Sequence, residues 1–187
     1  MANLPSVEDL LAAGAHFGHQ TQRWNPKMKP YILAEKNGIY VLNLSKTRDL
    51  LDAAAKAAAR VSASGKSVLF VGTKPTARQV VTEAATACNH FSVTNRWLGG
   101  MLTNFQTVRK SIKQIDKIAD MEKDGLFQEL SKKEVLDKTR ERNKLLSVFG
   151  GIRDMGAIPG LVIVTDLNHE KIAVAEARRL HIPIIGI

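Results

Sequence analysis

One cysteine, Cys88, stands in a chain of 187 residues, so an intrachain disulfide is impossible and a reducing compartment is the natural setting. Long apolar runs are missing as well. The best, LVIV and the closing IPIIGI, fall far short of a membrane span. The opening MANLPSVEDLL has no cationic region leading into an apolar stretch, and its Ser6 and Asp9 have capping-box spacing instead. A soluble cytoplasmic protein is the expectation. Acidic side chains are in short supply, 18 against 27 Lys and Arg, which leaves a net charge of +9 and a pI near 9.8. That balance favours polyanionic partners, nucleic acid or an acidic membrane surface. The excess lies wholly upstream of residue 151, because residues 151–187 hold four basic and four acidic side chains. The C-terminal stretch therefore reads as core, with a polyanion meeting the other parts.

The motifs of common chemistries are also missing. The segment after SVLFVG is TKPTAR, with neither the Gly-x-Gly-x-x-Gly turn nor the Gly-x4-Gly-Lys-Ser/Thr loop, so a dinucleotide or triphosphate lacks its usual backbone cradle. No Gly-x-Ser-x-Gly elbow is present. His16 and His19 are three apart, but no second pair at ligand spacing completes a zinc set, and the CNH at 88–90 belongs to another unit. No metal, cofactor or small-molecule substrate is expected. Asp166, at the end of LVIVTD, is either a ribose- or magnesium-binding carboxylate or a loop residue ahead of the next helix. With Lys74 it would form the site of an enzyme or nucleotide-binding module on the same fold, the main alternative reading.

What is present is an alternation of strands and helices. IYVLNL (39–44) precedes an alanine-rich helix capped by Ser45 or Thr47 and stopped by Gly65. SVLFVG precedes a helix with Thr73 as cap and Pro75 in its first turn. HFSVTN is a short strand candidate, and GLVIVTD, NHEKIAVAEARRL and IPIIGI resume the pattern. Strands apolar on both faces and alternating with helices imply a parallel sheet covered on both sides, a three-layer α/β domain. This domain is expected from residues 1–104 and 150–187.

Between those parts, Phe105, Val108, Ile112, Ile115 and Ala119 recur three and four apart, the spacing of a coiled-coil seam. Gly125 breaks the helix, SKKE (131–134) caps another, and Val135, Thr139, Leu146 and Phe149 mark its stripe. Residues 105–149 are expected to form an inserted antiparallel hairpin that projects from the domain, with Gly99–Gly100 and Gly150–Gly151 as hinges. Such a seam is either the hairpin's internal contact or a surface for a protein partner.

Cations and aromatic rings are interleaved in AHFGHQTQRWNPKMKPYI. Arg23, Lys27 and Lys29 punctuate a loop that Pro26 and Pro30 hold extended, while Trp24 and Tyr31 can stack on splayed bases. His16 and His19 either pack at a helix end or contact phosphate. A second cluster is Lys74, Arg78 and Arg96, the last beside Trp97. Loop cations are often only solvated, and either tryptophan can instead plug the edge of the core. The case for RNA rests on the aggregate of phosphate contacts. Arg109, Lys110 and Lys113, with Lys117, extend the basic surface along the first helix of the hairpin.

The strings LLAAGAHFGHQTQRWNPKMKPYI, TNRWLGGMLTNF and PGLVIVTDLNHEKIAVAEARRLHIP closely resemble the ribosomal small-subunit protein two family in its bacterial form. The resemblance runs from residue 4 to the last residue. It implies a flavodoxin-like or Rossmann-like α/β domain with an inserted helical hairpin, and no catalysis. It further implies binding to small-subunit ribosomal RNA near the junction of head and body, and a platform on which the large first protein of the subunit docks. By this resemblance the RNA contacts fall on the Arg23–Lys29 loop and the NRWLGG loop. Family members usually continue past IPIIGI, so further sequence is expected after Ile187.

Overall fold

The computed structural model describes residues 4–187, which form two compact units, one ending at Arg60 and the other running Val61–Ile187.

The first unit opens with α1 (Val7–Ala12), where Ser6 and Asp9 form the reciprocal capping box that their spacing predicts. Three strands follow, β1 (Phe17–Gln20), β2 (Ile32–Lys36) and β3 (Ile39–Leu42), in an antiparallel sheet of order β1-β3-β2. This corrects the expectation that IYVLNL belongs to the parallel sheet. The turn decides the pairing. Asn37 and Gly38 take φ of 53° and 72°, the two positive values that a two-residue hairpin loop needs, and Lys36 pairs with Ile39 across it. Helix α2 (Leu44–Ala63) runs across the unit boundary. Its first turn is satisfied by Asn43 rather than Ser45 or Thr47, since the Asn43 side chain accepts from the amides of Ser45 and Lys46. Gly65, at φ 73°, follows its end as expected.

The second unit is α/β. Strands β4 (Val68–Val71), β5 (Phe91–Val93), β6 (Leu161–Val164) and β7 (Ile184–Gly186) form a parallel sheet of order β5-β4-β6-β7, compatible with a Rossmann-like fold. Between them lie α3 (Pro75–Ala87), α4 (Phe105–Lys123), α5 (Lys132–Phe149) and α6 (Lys171–Arg179). The β4–α3–β5 and β6–α6–β7 crossovers run in opposite directions along the sheet. With the usual right-handed connection they cover opposite faces. Burial follows the strand period of two. Leu69, Val71, Val162 and Val164 join α6 residues Ala173 and Ala177 in the main core cluster, whereas Val68, Leu161 and the α3 residues Val81 and Ala85 are buried outside it.

The face carrying the cluster also receives α4 and the end of α5. Phe105, Val108, Ile112 and Ile115 are buried in the same cluster as the strands, together with Phe149 and Ile152. Ile118, not Ala119, completes the buried stripe, and in α5 it is Leu145 rather than the exposed Leu146 that packs on the core. A stripe of full core width holds i, i+3, i+4 and i+7 positions, so a narrow seam chose the wrong neighbour in α4, and the looser stripe read for α5 took Leu146 where its neighbour Leu145 faces inward. The Ser131–Glu134 capping box forms as read. Gly150 and Gly151 are not alike. Gly150 continues the helix at φ −53° with open space around it, while Gly151 lies against Ser92 of β5.

Candidate nucleic-acid interface

In the first unit, Pro26–Tyr31 is a 3-10 helix, not the extended loop that two prolines suggested. The fixed φ of proline suits either form. Asn25 settles the matter, its side chain accepting from the Lys27 amide at 3.0 Å. Lys46 Nζ donates to the Pro30 carbonyl at 2.6 Å and fixes the far end. Arg23, Lys27, Lys29 and His19 are exposed. Among the described residues none of these three cations is in an ion pair. Trp24 is half-buried against Tyr40, with ring centroids 4.8 Å apart and planes tilted by 52°. His16 is half-buried against Phe17, centroids 4.0 Å apart, and its Nδ1 is buried without a hydrogen-bond partner.

In the second unit, the carboxyl ends of β4, β5 and β6 gather Lys74, Arg78, Arg96 and Trp97. Each is held differently. Lys74 pairs with Asp166. Asp166 also accepts from the amides of Asn168 and His169 at 2.8 and 2.9 Å, the turn role that its position before a helix suggested. Burial works to raise the Asp166 pKa, but Lys74 and those amides outweigh it and hold the carboxyl below its ordinary value. Thr73 does not cap α3; its amide and hydroxyl both donate to the buried Glu170, at 2.7 and 2.6 Å. Arg78 Nε donates to the Thr73 carbonyl at 3.1 Å, and Arg96 is exposed.

Trp97 is only 8% exposed and belongs to the core cluster, so no open face of its ring remains for a base. Its Nε1–H donates to Glu176 at 3.1 Å. Glu176 also accepts from the amides of Gly100, Leu102 and Thr103 at 2.7, 3.0 and 3.0 Å, and from the Thr103 hydroxyl at 3.0 Å. One buried carboxylate thus organises the whole NRWLGGMLTN loop from α6. Burial pushes the Glu176 pKa up, and the donors from Thr103, Gly100, Trp97 and Leu102 more than reverse this, leaving it below its usual range. Neither Glu170 nor Glu176 was singled out by sequence reasoning. The signal for Glu176 existed, because it shares helical core spacing with Ala173 and Ala177.

Along α4, Arg109 donates to the Gly156 carbonyl at 2.8 Å, while Lys110 and Lys113 stand exposed. The basic residues read from sequence therefore fall into three places: the 3-10 turn of the first unit, the strand ends of the second, and the outer side of α4. Among the described residues no three His, Cys, Asp or Glu side chains come together as a metal site would require. A family model described as Ribosomal protein S2 matches residues 10–187.

Proposed function

Because the chain belongs to the ribosomal protein S2 family, a family of structural proteins of the small ribosomal subunit, we propose that it binds small-subunit ribosomal RNA through the Arg23–Lys29 turn and the Arg96 loop. The observation that carries this reading is the turn itself. It presents Arg23, Lys27 and Lys29 to solvent on backbone already fixed by Asn25, two prolines and Lys46. A rigid cationic surface loses little entropy on docking to phosphates. Trp24, held against Tyr40, supports the turn from behind.

Lys74, Arg78, Arg109, Lys110 and Lys113 add positive charge as a field rather than as individual readers of sequence. Of these, Lys74 is weakest, since Asp166 neutralises it. The same mutual neutralisation disfavours the nucleotide-binding alternative, and no catalysis forms part of the proposal. His16 and His19 are assigned a supporting place beside the turn. Residues 105–149 are read as an antiparallel helical hairpin inserted between β5 and β6 of an α/β domain formed by residues 1–104 and 150–187. Docking of the large first protein of the subunit and residence with cytoplasmic ribosomes complete the reading, both supported by family membership. No helix among the described residues is long and apolar enough to cross a membrane.

Replacing Arg23, Lys27 and Lys29 together by Gln should make the log–log dependence of ribosomal RNA affinity on salt shallower by roughly 2, at about 0.7–0.9 per phosphate lost. All three are exposed, so thermal stability should not change. Filter binding across a salt series measures the slope, and an unaltered slope would remove the turn from the interface.

A further inference from the structure

The C-terminal stretch has no net charge in sequence, yet its surface is basic. Of its four acidic residues, Glu170 and Glu176 are buried and spent on internal donors, Asp166 is paired with Lys74, and Asp154 alone is exposed without a pair among the described residues. Lys171, Arg178 and Arg179 remain exposed. Charge averaged along the chain conceals this separation.

Two open cavities lie on this surface and share one wall, Ile172. The first, about 180 Å³, has Thr73, Asn95, Arg96, Trp97, His169 and Ala173 on its other sides, with Glu170 also in its wall but engaged by the Thr73 amide and hydroxyl. The second, about 320 Å³, is bounded by Thr103, Lys171, Ala175, Glu176 and Arg179. Ile172 is 57% exposed in the middle of a polar, cationic surface. Among the described residues none of Arg96, Lys171 and Arg179 is in an ion pair. On one side of an apolar ridge stand Arg96 and His169, and on the other Lys171 and Arg179.

We propose that this pair of cavities is a track for single-stranded RNA. Its backbone phosphates lie against Arg96 and His169 on one side and Lys171 and Arg179 on the other, with a splayed nucleotide seated over Ile172. The inference rests on the RNA-binding reading and adds a site to it. Charge complementarity selects a polyanion, and the apolar ridge between two cationic sides selects one that alternates charge with an uncharged ring. A duplex cannot lower a base onto Ile172, because its bases are stacked and paired. Asn95, which is exposed, offers a polar partner beside the ridge. Glu176 fixes the loop wall that carries Arg96, so the track is built before RNA arrives.

The test is fluorescence anisotropy with a single-stranded uridine decamer, and with an RNA hairpin of equal phosphate number, titrated with the full chain at several salt concentrations. Ile172→Glu should weaken decamer binding at least tenfold. Lys171→Gln with Arg179→Gln should shallow the decamer salt slope by roughly 1.4, at about 0.7 per single-strand phosphate. Hairpin binding should change less than twofold in both variants. These side chains are exposed, so the Gln pair keeps the test valid even where the Glu variant disturbs folding. Unchanged decamer affinity and slope, or an equal loss for the hairpin, would overturn the track. So would binding of polyglutamate to wild type as tight as that of the decamer and equally weakened by Ile172→Glu, which assigns the ridge to an acidic protein. If wild type binds RNA and only the Arg23, Lys27 and Lys29 variant loses slope, the proposed function survives without the track. If wild type binds no RNA, both fall.

Discussion

Glu176→Gln should lower the melting temperature of the protein by roughly 6–12 °C. The carboxylate is 8% exposed and accepts from five donors with its two oxygens, Trp97 Nε1 and Gly100 N on Oε1 and Leu102 N, Thr103 N and Thr103 Oγ1 on Oε2. An amide of the same shape keeps one acceptor. Its NH2 then faces donors whichever way it is turned, so at least two buried groups lose their partner. At about 1–3 kcal/mol for each unsatisfied donor, and more when the lost partner was charged, the total is about 3 kcal/mol. A chain of this length loses about 2–4 °C per kcal/mol. The pH dependence has a definite sign. The folded carboxyl sits below its ordinary 4.5, so its stabilisation is complete above the unfolded value and disappears as pH falls through the folded one. Asp166, also held low, acts in the same direction. Glu176→Gln should therefore show a shallower acid limb in a plot of melting temperature against pH. An equal acid limb in the two proteins would mean that this carboxylate is not the one being titrated.

Gly151→Ala and Gly150→Ala should have opposite effects. A Cβ on Gly151 would overlap the Ser92 carbonyl oxygen and reach Ser92 Oγ at 2.8 Å. Ser92 is the middle residue of β5, paired through the ladder with Phe70, so neither backbone can withdraw without breaking sheet bonds. Overpacking against backbone at a fixed strand should cost about 3 kcal/mol or more. Gly150 has helical angles and nothing within reach of an added Cβ. Alanine there should be neutral or add about 0.4–1 kcal/mol by restricting the unfolded chain. Chemical denaturation of the two variants measures the difference. A loss of stability in Gly150→Ala comparable to that in Gly151→Ala would mean that both glycines serve as hinges.

The contrast between the two glycines marks what the sequence carried and what it hid. SVLFV and LVIV were legible as buried parallel strands because both faces are apolar, and burial is a property each strand states for itself. IYVL was equally legible as a strand but not as a partner of β1 and β2. Its pairing is written in Asn37–Gly38, outside the strand. The Ser131–Glu134 box could be read because both partners lie within one turn. Nothing local could reveal that Gly151 meets Ser92 or that Trp97 meets Glu176, since those contacts join segments remote in sequence. The site suffered from the same limit. The exposed cluster of Arg23, Lys27 and Lys29 was legible because its cations are neighbours along the chain, whereas the exposed Lys171 and Arg179 were masked by acids beside them that folding buries. Trp97, read as able to stack on a base, is drawn inward by a carboxylate 79 residues away.

The sheet order β5-β4-β6-β7 also governs the sequence of events during synthesis. Strand β4 pairs with β5 soon after both emerge, but its other neighbour is remote: Thr165, just after β6, bonds back to Val71 across 94 residues. At about 5–20 residues per second, the inner edge of β4 stays open for roughly 5–20 s. The helices α4 and α5 are made in that interval, yet Phe105, Val108, Ile112 and Ile115 share their core with Val162 and Val164, so this apolar stripe also waits for β6. An apolar strand with an unpaired edge is the form most prone to pair with another chain. The nascent protein is therefore most exposed to aggregation between the synthesis of β5 and the arrival of Leu161–Val164.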